Sequence, residues 1–109
     1  MIEIKDELAR QLQVQGTTID RYGYDEDADV LYLRAGRPRQ AADDDDSIEG
    51  DAVFFDNEGN VSGVTIIGAR EMLERDGTLN VTLPSRGIAV RWPRELIEPL
   101  LVETLRYAS

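Results

Sequence analysis

Two ten-residue stretches, YDEDADVLYL from Tyr24 and FDNEGNVSGV from Phe55, align without gaps as an aromatic residue, Asp, three turn residues, Asp or Asn, and Val. Asp, Asn and Gly supply the positive φ and the local side-chain bonds that a tight turn needs, so each stretch reads as a β-hairpin. Two copies fall short of the three or so that a solenoid requires. They therefore belong to one sheet, and a chain with two such hairpins is committed to antiparallel pairing.

The rest of the chain fits around that sheet. Ile4, Leu8 and Leu12 recur every four residues and predict a short amphipathic helix ending before Gly16. Ile19, Tyr22 and Tyr24 lead into the first hairpin. RPRQAADDDDSIEG, residues 37–50, lacks apolar periodicity and carries a proline, which suits an exposed loop or a poor edge strand. AREMLER at 69–75 reads as a short helix closed by Asp76-Gly77. Thr78 to Leu83 alternates in the manner of a half-buried strand, Pro84 ends it, and Ile88 to Val90 adds a further short strand. From Pro93 a second helix begins, with Leu96, Ile97, Leu100, Leu101 and Leu105 on one face; Pro99 inside it predicts a kink or two short helices.

The expected fold class is α+β: one domain over 1–109, an antiparallel meander-like sheet of about four to six strands with helices packed on one face. The expected core holds Ile19, Tyr22, Leu31, Leu33, Val53, Phe55, Val64, Ile66, Leu73, Leu79, Val81, Leu96, Leu100 and Leu101.

YDEDADVLYLR at Tyr24 to Arg34, an acidic loop, and GDAVFFDNEGNVSGVTIIGARE at Gly50 to Glu71 together resemble the small bacterial domain-of-unknown-function family 2283. Its pattern is a Tyr-Asp motif, an Asp-x-Leu-Tyr-Ile type strand, a Val-x-x-Asp hairpin and a Gly-x-Glu-Ile type strand running into a helix. The resemblance covers about residues 20–75, with residues 78–109 as a C-terminal strand and helix extension. Thr65 stands where that family often has an acid. The resemblance implies no activity, and only an interaction role.

The chain has no cysteine and no histidine. Thiolate chemistry, disulfides, imidazole metal ligands and the ordinary Ser-His-Asp triad are thereby excluded. Of its 22 acids and 12 bases, residues 1–60 hold 16 and 6, while residues 61–109 hold 6 of each, so the net charge of −10 arises wholly in the first part. That field repels a phosphate backbone, and direct nucleic-acid binding is not expected. No apolar run is long enough to span a bilayer, and the opening MIEIKDELAR has acids where a secretory leader has bases followed by an apolar stretch. A cytoplasmic location is expected.

Two acidic stretches are candidate sites. Asp25, Asp27 and Asp29 alternate as at the start of a calcium loop, but Val30 stands where that loop needs glycine and Gly36 where it needs glutamate. Asp43, Asp44, Asp45 and Asp46 form a like-charge run that keeps its segment extended and wet. No catalytic residues, metal or cofactor are assigned. The leading expectation is a non-enzymatic module that docks a basic protein through these seven aspartates. The alternatives are a divalent-metal enzyme using the same carboxylates, and a structural homodimer joined by its C-terminal helix.

Overall fold

The computed structural model describes residues 2–36 and 41–108, and within them the side chains of all but Asp6 and residues 103–108. Residues 37–40 of the expected loop and the Leu105 side chain lie outside the described residues. The elements run β1 (Ile2–Glu3), α1 (Asp6–Ala9), β2 (Gln13–Val14), β3 (Thr17–Thr18), β4 (Arg21–Asp25), β5 (Val30–Arg34), β6 (Asp43–Asp46), β7 (Ala52–Phe55), β8 (Val61–Ile67), α2 (Ala69–Asp76), β9 (Thr78–Leu83), a 3-10 turn at Pro84–Arg86, β10 (Ile88–Pro93) and α3 (Arg94–Ala108).

Six of these strands form one antiparallel sheet in the order β1-β4-β5-β8-β7-β6. The class is α+β, as the hairpin spacing predicts. β4 and β5 make the first hairpin and β6, β7 and β8 a three-strand meander, joined so that β8 lies beside β5 with Val30 opposite Ile67 and Leu33 opposite Val64. Separate two-stranded ribbons are formed by β9 with β10 and by β2 with β3.

Alternation along the strands decides which face is buried. Tyr22 and Tyr24, Leu31 and Leu33, Val53 and Phe55, and Val64 and Ile66 point to one side and are buried there. The β9–β10 ribbon contributes Leu79, Val81, Leu83, Ile88 and Trp92 to the same core, α2 contributes Ala69, Met72 and Leu73, and α3 contributes Leu96, Ile97, Leu100 and Leu101. Every residue of the expected core is in it. Adjacent apolar pairs in α3 give it a wide buried stripe, and that stripe is spent on the sheet of its own chain. Its next apolar residue, Val102, is exposed.

Two local expectations are corrected and a third is decided between its alternatives. The N-terminal helix shrinks to the four residues of α1, flanked by β1 and β2; Ile4 and Leu12 are buried, yet the chain beyond Leu12 is extended over Gln13–Val14 to pair with Thr17–Thr18. Of the two readings of the acidic run, an exposed loop or a poor edge strand, the second holds: Asp43–Asp46 is β6, the edge of the sheet. Pro99 lies inside the single helix α3, at an exposed position of its second turn. Among the described residues no helix is long and apolar enough to cross a membrane.

Candidate functional site

The two hairpin turns use their aspartates differently. In the second, Asp56 Oδ1 accepts the N–H groups of Glu58 and Asn60, both at 2.9 Å, and Gly59 takes the left-handed position at φ 82°. In the first, Asp25 Oδ1 accepts the Ala28 N–H at 3.1 Å, and the left-handed residue is Asp29, at φ 54°. Asp29 then serves α2. Its carbonyl oxygen accepts the N–H groups of Gly68 and Ala69 at 2.7 and 3.3 Å, and its carboxylate accepts those of Arg70 and Glu71 at 2.8 and 3.1 Å. Four successive N–H groups at the start of a helix, which the helix itself cannot satisfy, thus end on one residue of a distant turn. The Tyr24 hydroxyl also donates to Asp29, at 2.8 Å. Burial and this bond push the Tyr24 phenol up to about 12.

Of the first candidate set, then, Asp29 is the cap of α2, Asp25 closes its own turn, and Asp27 is exposed. A calcium loop would need these oxygens turned toward a common point, and two of the three are turned toward backbone N–H groups. Among the described residues no group of three or more carboxylates stands close enough to hold a metal ion.

The second set divides by face. Asp43 and Asp45 lie opposite Phe55 and Val53, on the side of the core, while Asp44 and Asp46 lie opposite Phe54 and Ala52, on the outer side. Arg86, from the turn before β10, pairs with Asp43, stands 3.9 Å from Asp45, and holds its guanidinium 4.2 Å from the centre of the Phe55 ring. The bond from Arg86 holds the Asp43 carboxyl below its ordinary value. Asp43 Oδ1 and Asp45 Oδ1 also accept the N–H groups of Asp44 and Asp46, each at 2.9 Å. These are the amides that an edge strand turns away from its neighbour. The strand therefore covers its own outward donors.

The two sets share one end of the sheet only in part. The β4–β5 turn, Ile67 and Asp46 are at the same end, with β5 and β6 about 14 Å apart across three strand spacings. Asp43 sits at the other end, beside Phe55.

The outer face carries residues that nothing in sequence joins into one site. Val30, Tyr32 and Arg34 of β5, Ala52 and Phe54 of β7, and Thr65 and Ile67 of β8 alternate with the core residues and point away from them. Ile67 is 61% exposed. Arg34 lies between the rings of Tyr32 and Phe54, 5.7 and 5.2 Å from their centres, and donates to the Leu33 carbonyl at 2.8 Å and to the Thr65 hydroxyl at 3.3 Å. Burial holds its guanidinium below its ordinary value. Gly63 makes room for it, since a Cβ there would stand 2.9 Å from Arg34 Cδ.

The sequence reading passed over Asp51. It is fully buried in the β6–β7 connection, with Oδ1 accepting the Ile67 N–H at 3.1 Å and Oδ2 enclosed without a partner among the described residues. Burial, with the neighbouring Glu49 charge, pushes its carboxyl up to about 6 against the single bond from Ile67. Glu49 itself is pushed up by burial, but accepts the Thr82 N–H at 2.8 Å and the Thr82 hydroxyl at 2.7 Å, which outweigh burial and leave it below its ordinary value.

No family model, curated protein or solved structure matches the chain. Function must be read from these surfaces alone.

Proposed function

We propose that this protein is a non-enzymatic binding module that docks a basic protein partner on the outer face of its six-stranded sheet. One observation carries the reading: on that face Tyr32, Phe54 and the exposed Ile67 present apolar side chains, with the Arg34 guanidinium half-buried between the two rings. Asp44 and Asp46 project from the adjoining edge strand on the same side. Apolar surface rimmed by charge is the usual composition of a protein contact. The chain's net charge of −10 adds long-range attraction for a basic surface. Of the seven aspartates named from sequence, Asp44 and Asp46 are the pair best placed for this role, because Asp29, Asp43 and Asp45 are held in bonds within the fold. The likeness of residues 20–75 to family 2283, through the Tyr24-Asp25 and Phe55-Asp56 hairpins, fits an interaction role.

The test is capture of a partner from the source cell, then titration of the purified partner against the native chain and against Asp44→Asn/Asp46→Asn and Ile67→Lys variants. Both variants should weaken binding, and raised salt should weaken it further for the native chain, since the Debye length falls from about 10 Å at 0.1 M to about 3 Å at 1 M. A partner whose binding ignores salt and both variants would remove this reading.

A further inference from the structure

Strand edges carry unpaired N–H and C=O groups, and this fold covers most of its own. On β6 the outward amides of Asp44 and Asp46 are taken by neighbouring carboxylates. On β9 the outward groups are taken as well: the Thr82 N–H by Glu49, the Thr82 carbonyl by the Ile48 N–H at 2.9 Å, and the Asn80 N–H by the Met72 sulfur at 3.3 Å. β1 is only two residues long.

The outer edge of β10 differs. Because Thr82 and Asn80 turn their backbone groups away from the ribbon, their partners Ala89 and Arg91 must turn theirs outward on the other side. Both residues are exposed, and no other element of the described structure bonds to their backbone. Pro93, which has no N–H to offer, closes the end of this edge.

A groove of about 470 Å³ runs along the same edge. Ile88, Val90 and Trp92 line it on the side of the core, and Gln11, Gln13 and Gln15 form its far wall. The three glutamines are exposed while Leu12 and Val14 between them are buried, so Gln13 on β2 and Gln11 and Gln15 in the turns beside it all face away from the core. Gln15 already uses its amide, donating to the Arg86 carbonyl at 2.6 Å. No carboxylate lines the groove among the described residues, although the chain has 22, and Arg91 does line it.

We propose that the outer edge of β10 is a strand-addition site for an extended peptide segment of a partner protein, with apolar side chains over Val90 and Trp92 and an acidic one beside Arg91. The peptide would exchange hydrogen bonds with Ala89 and Arg91 on one side and present its other edge to the glutamine amides. A second copy of this protein would bring its own second ribbon strand into the space where the glutamines stand. The site is separate from the outer face of the main sheet, and the two stand or fall independently.

The test uses the full chain and a blocked peptide, acetyl-Val-Thr-Val-Glu-Val-Thr-Val-amide. Its binding should shift the Ala89 and Arg91 amide signals and slow their hydrogen exchange, while the signals of Phe54 and Ile67 stay in place. Methylating the peptide nitrogens of one edge should weaken binding about tenfold or more, the loss expected for backbone hydrogen bonds. Arg91→Glu should reverse the preference between this peptide and one with Lys in place of Glu. Equal binding of the methylated peptide, or shifts that spare Ala89 and Arg91, would overturn the proposal. So would slowed exchange at Ala89 and Arg91 that grows with protein concentration alone, because the occupant would then be a second copy.

Discussion

Asp29 and Arg70 are separated by 41 residues, and the carboxylate of the first accepts the backbone N–H of the second at 2.8 Å. The bond belongs to a set in which one turn residue satisfies the whole start of α2. The first hairpin and the helix after the second hairpin are thereby locked to one another.

Replacing Asp29 with Ala should therefore cost more than an ordinary cap. Two helix N–H groups and the Tyr24 hydroxyl lose their acceptor, and alanine tolerates the φ of 54° poorly. A loss of about 2 to 4 kcal/mol is expected in a urea titration. Asp29→Asn should lose less, since its side-chain oxygen still accepts and asparagine tolerates the left-handed region. Equal losses for the two variants would contradict the capping role.

Asp51 gives the molecule a pH dependence that its composition does not suggest. Its carboxyl is pushed up to about 6 from an ordinary value of 3.8, so protonation favours the fold. The stability it contributes is complete below about pH 4 and is lost as pH rises through about 6, an effect of at most about 3 kcal/mol. The depressed carboxyls of Asp43 and Glu49 act in the opposite sense, contributing stability at neutral pH that is lost only as pH falls through their lowered values. Asp51→Asn should accordingly be more stable than the native chain at pH 8 and should flatten the melting temperature between about pH 4 and 7. A native chain already flat over that interval would show that Asp51 ionises normally.

Arg86 fastens the acidic edge to the β9–β10 ribbon by its contacts with Asp43, Asp45 and the Phe55 ring. Arg86→Leu should remove about 1 to 2 kcal/mol and hasten amide exchange across β6, leaving four like charges without their counterion. Part of the loss should return at high salt, where their mutual repulsion is screened. A deficit indifferent to salt would assign the role of Arg86 to packing alone.

A methyl group at Gly63 has nowhere to go. Its Cβ would stand 2.9 Å from the Leu33 carbonyl oxygen, which belongs to the paired strand, and as close to the Arg34 side chain. Gly63→Ala should cost about 1 to 3 kcal/mol by thermal melting and displace Arg34 from between Tyr32 and Phe54. Full stability in this variant would mean that β5 and β8 can separate locally at no cost.

The buried face was legible because it depends on alternation. Leu31 and Leu33, Val53 and Phe55, and Val64 and Ile66 announce their side of the sheet by spacing alone. The roles of Asp29 and Asp51 were not, because a carboxylate that caps a remote helix looks in sequence like one solvated in a turn. Only the β5–β8 pairing brings Asp29 to Gly68. Similarly, Gln13 and Val14 favour a strand over the helix that Ile4, Leu8 and Leu12 predict, because Thr17 and Thr18 lie within reach for pairing across the turn at Gln15 and Gly16. Pro99 sits early in α3, where the helix continues through it with Leu100 and Leu101 packed in the core.

The self-covered edge of β6 bears on how the purified protein behaves in storage. Exposed edge strands seed fibres when their free amides find another strand, and here Asp43 and Asp45 occupy those amides while the like charges of the run repel a second copy. Strong acid removes the repulsion and weakens the cover, because a neutral carboxyl accepts less strongly than a carboxylate. Slow ladder growth on standing in acidic buffer should thus begin at residues 43–46, well before the core melts.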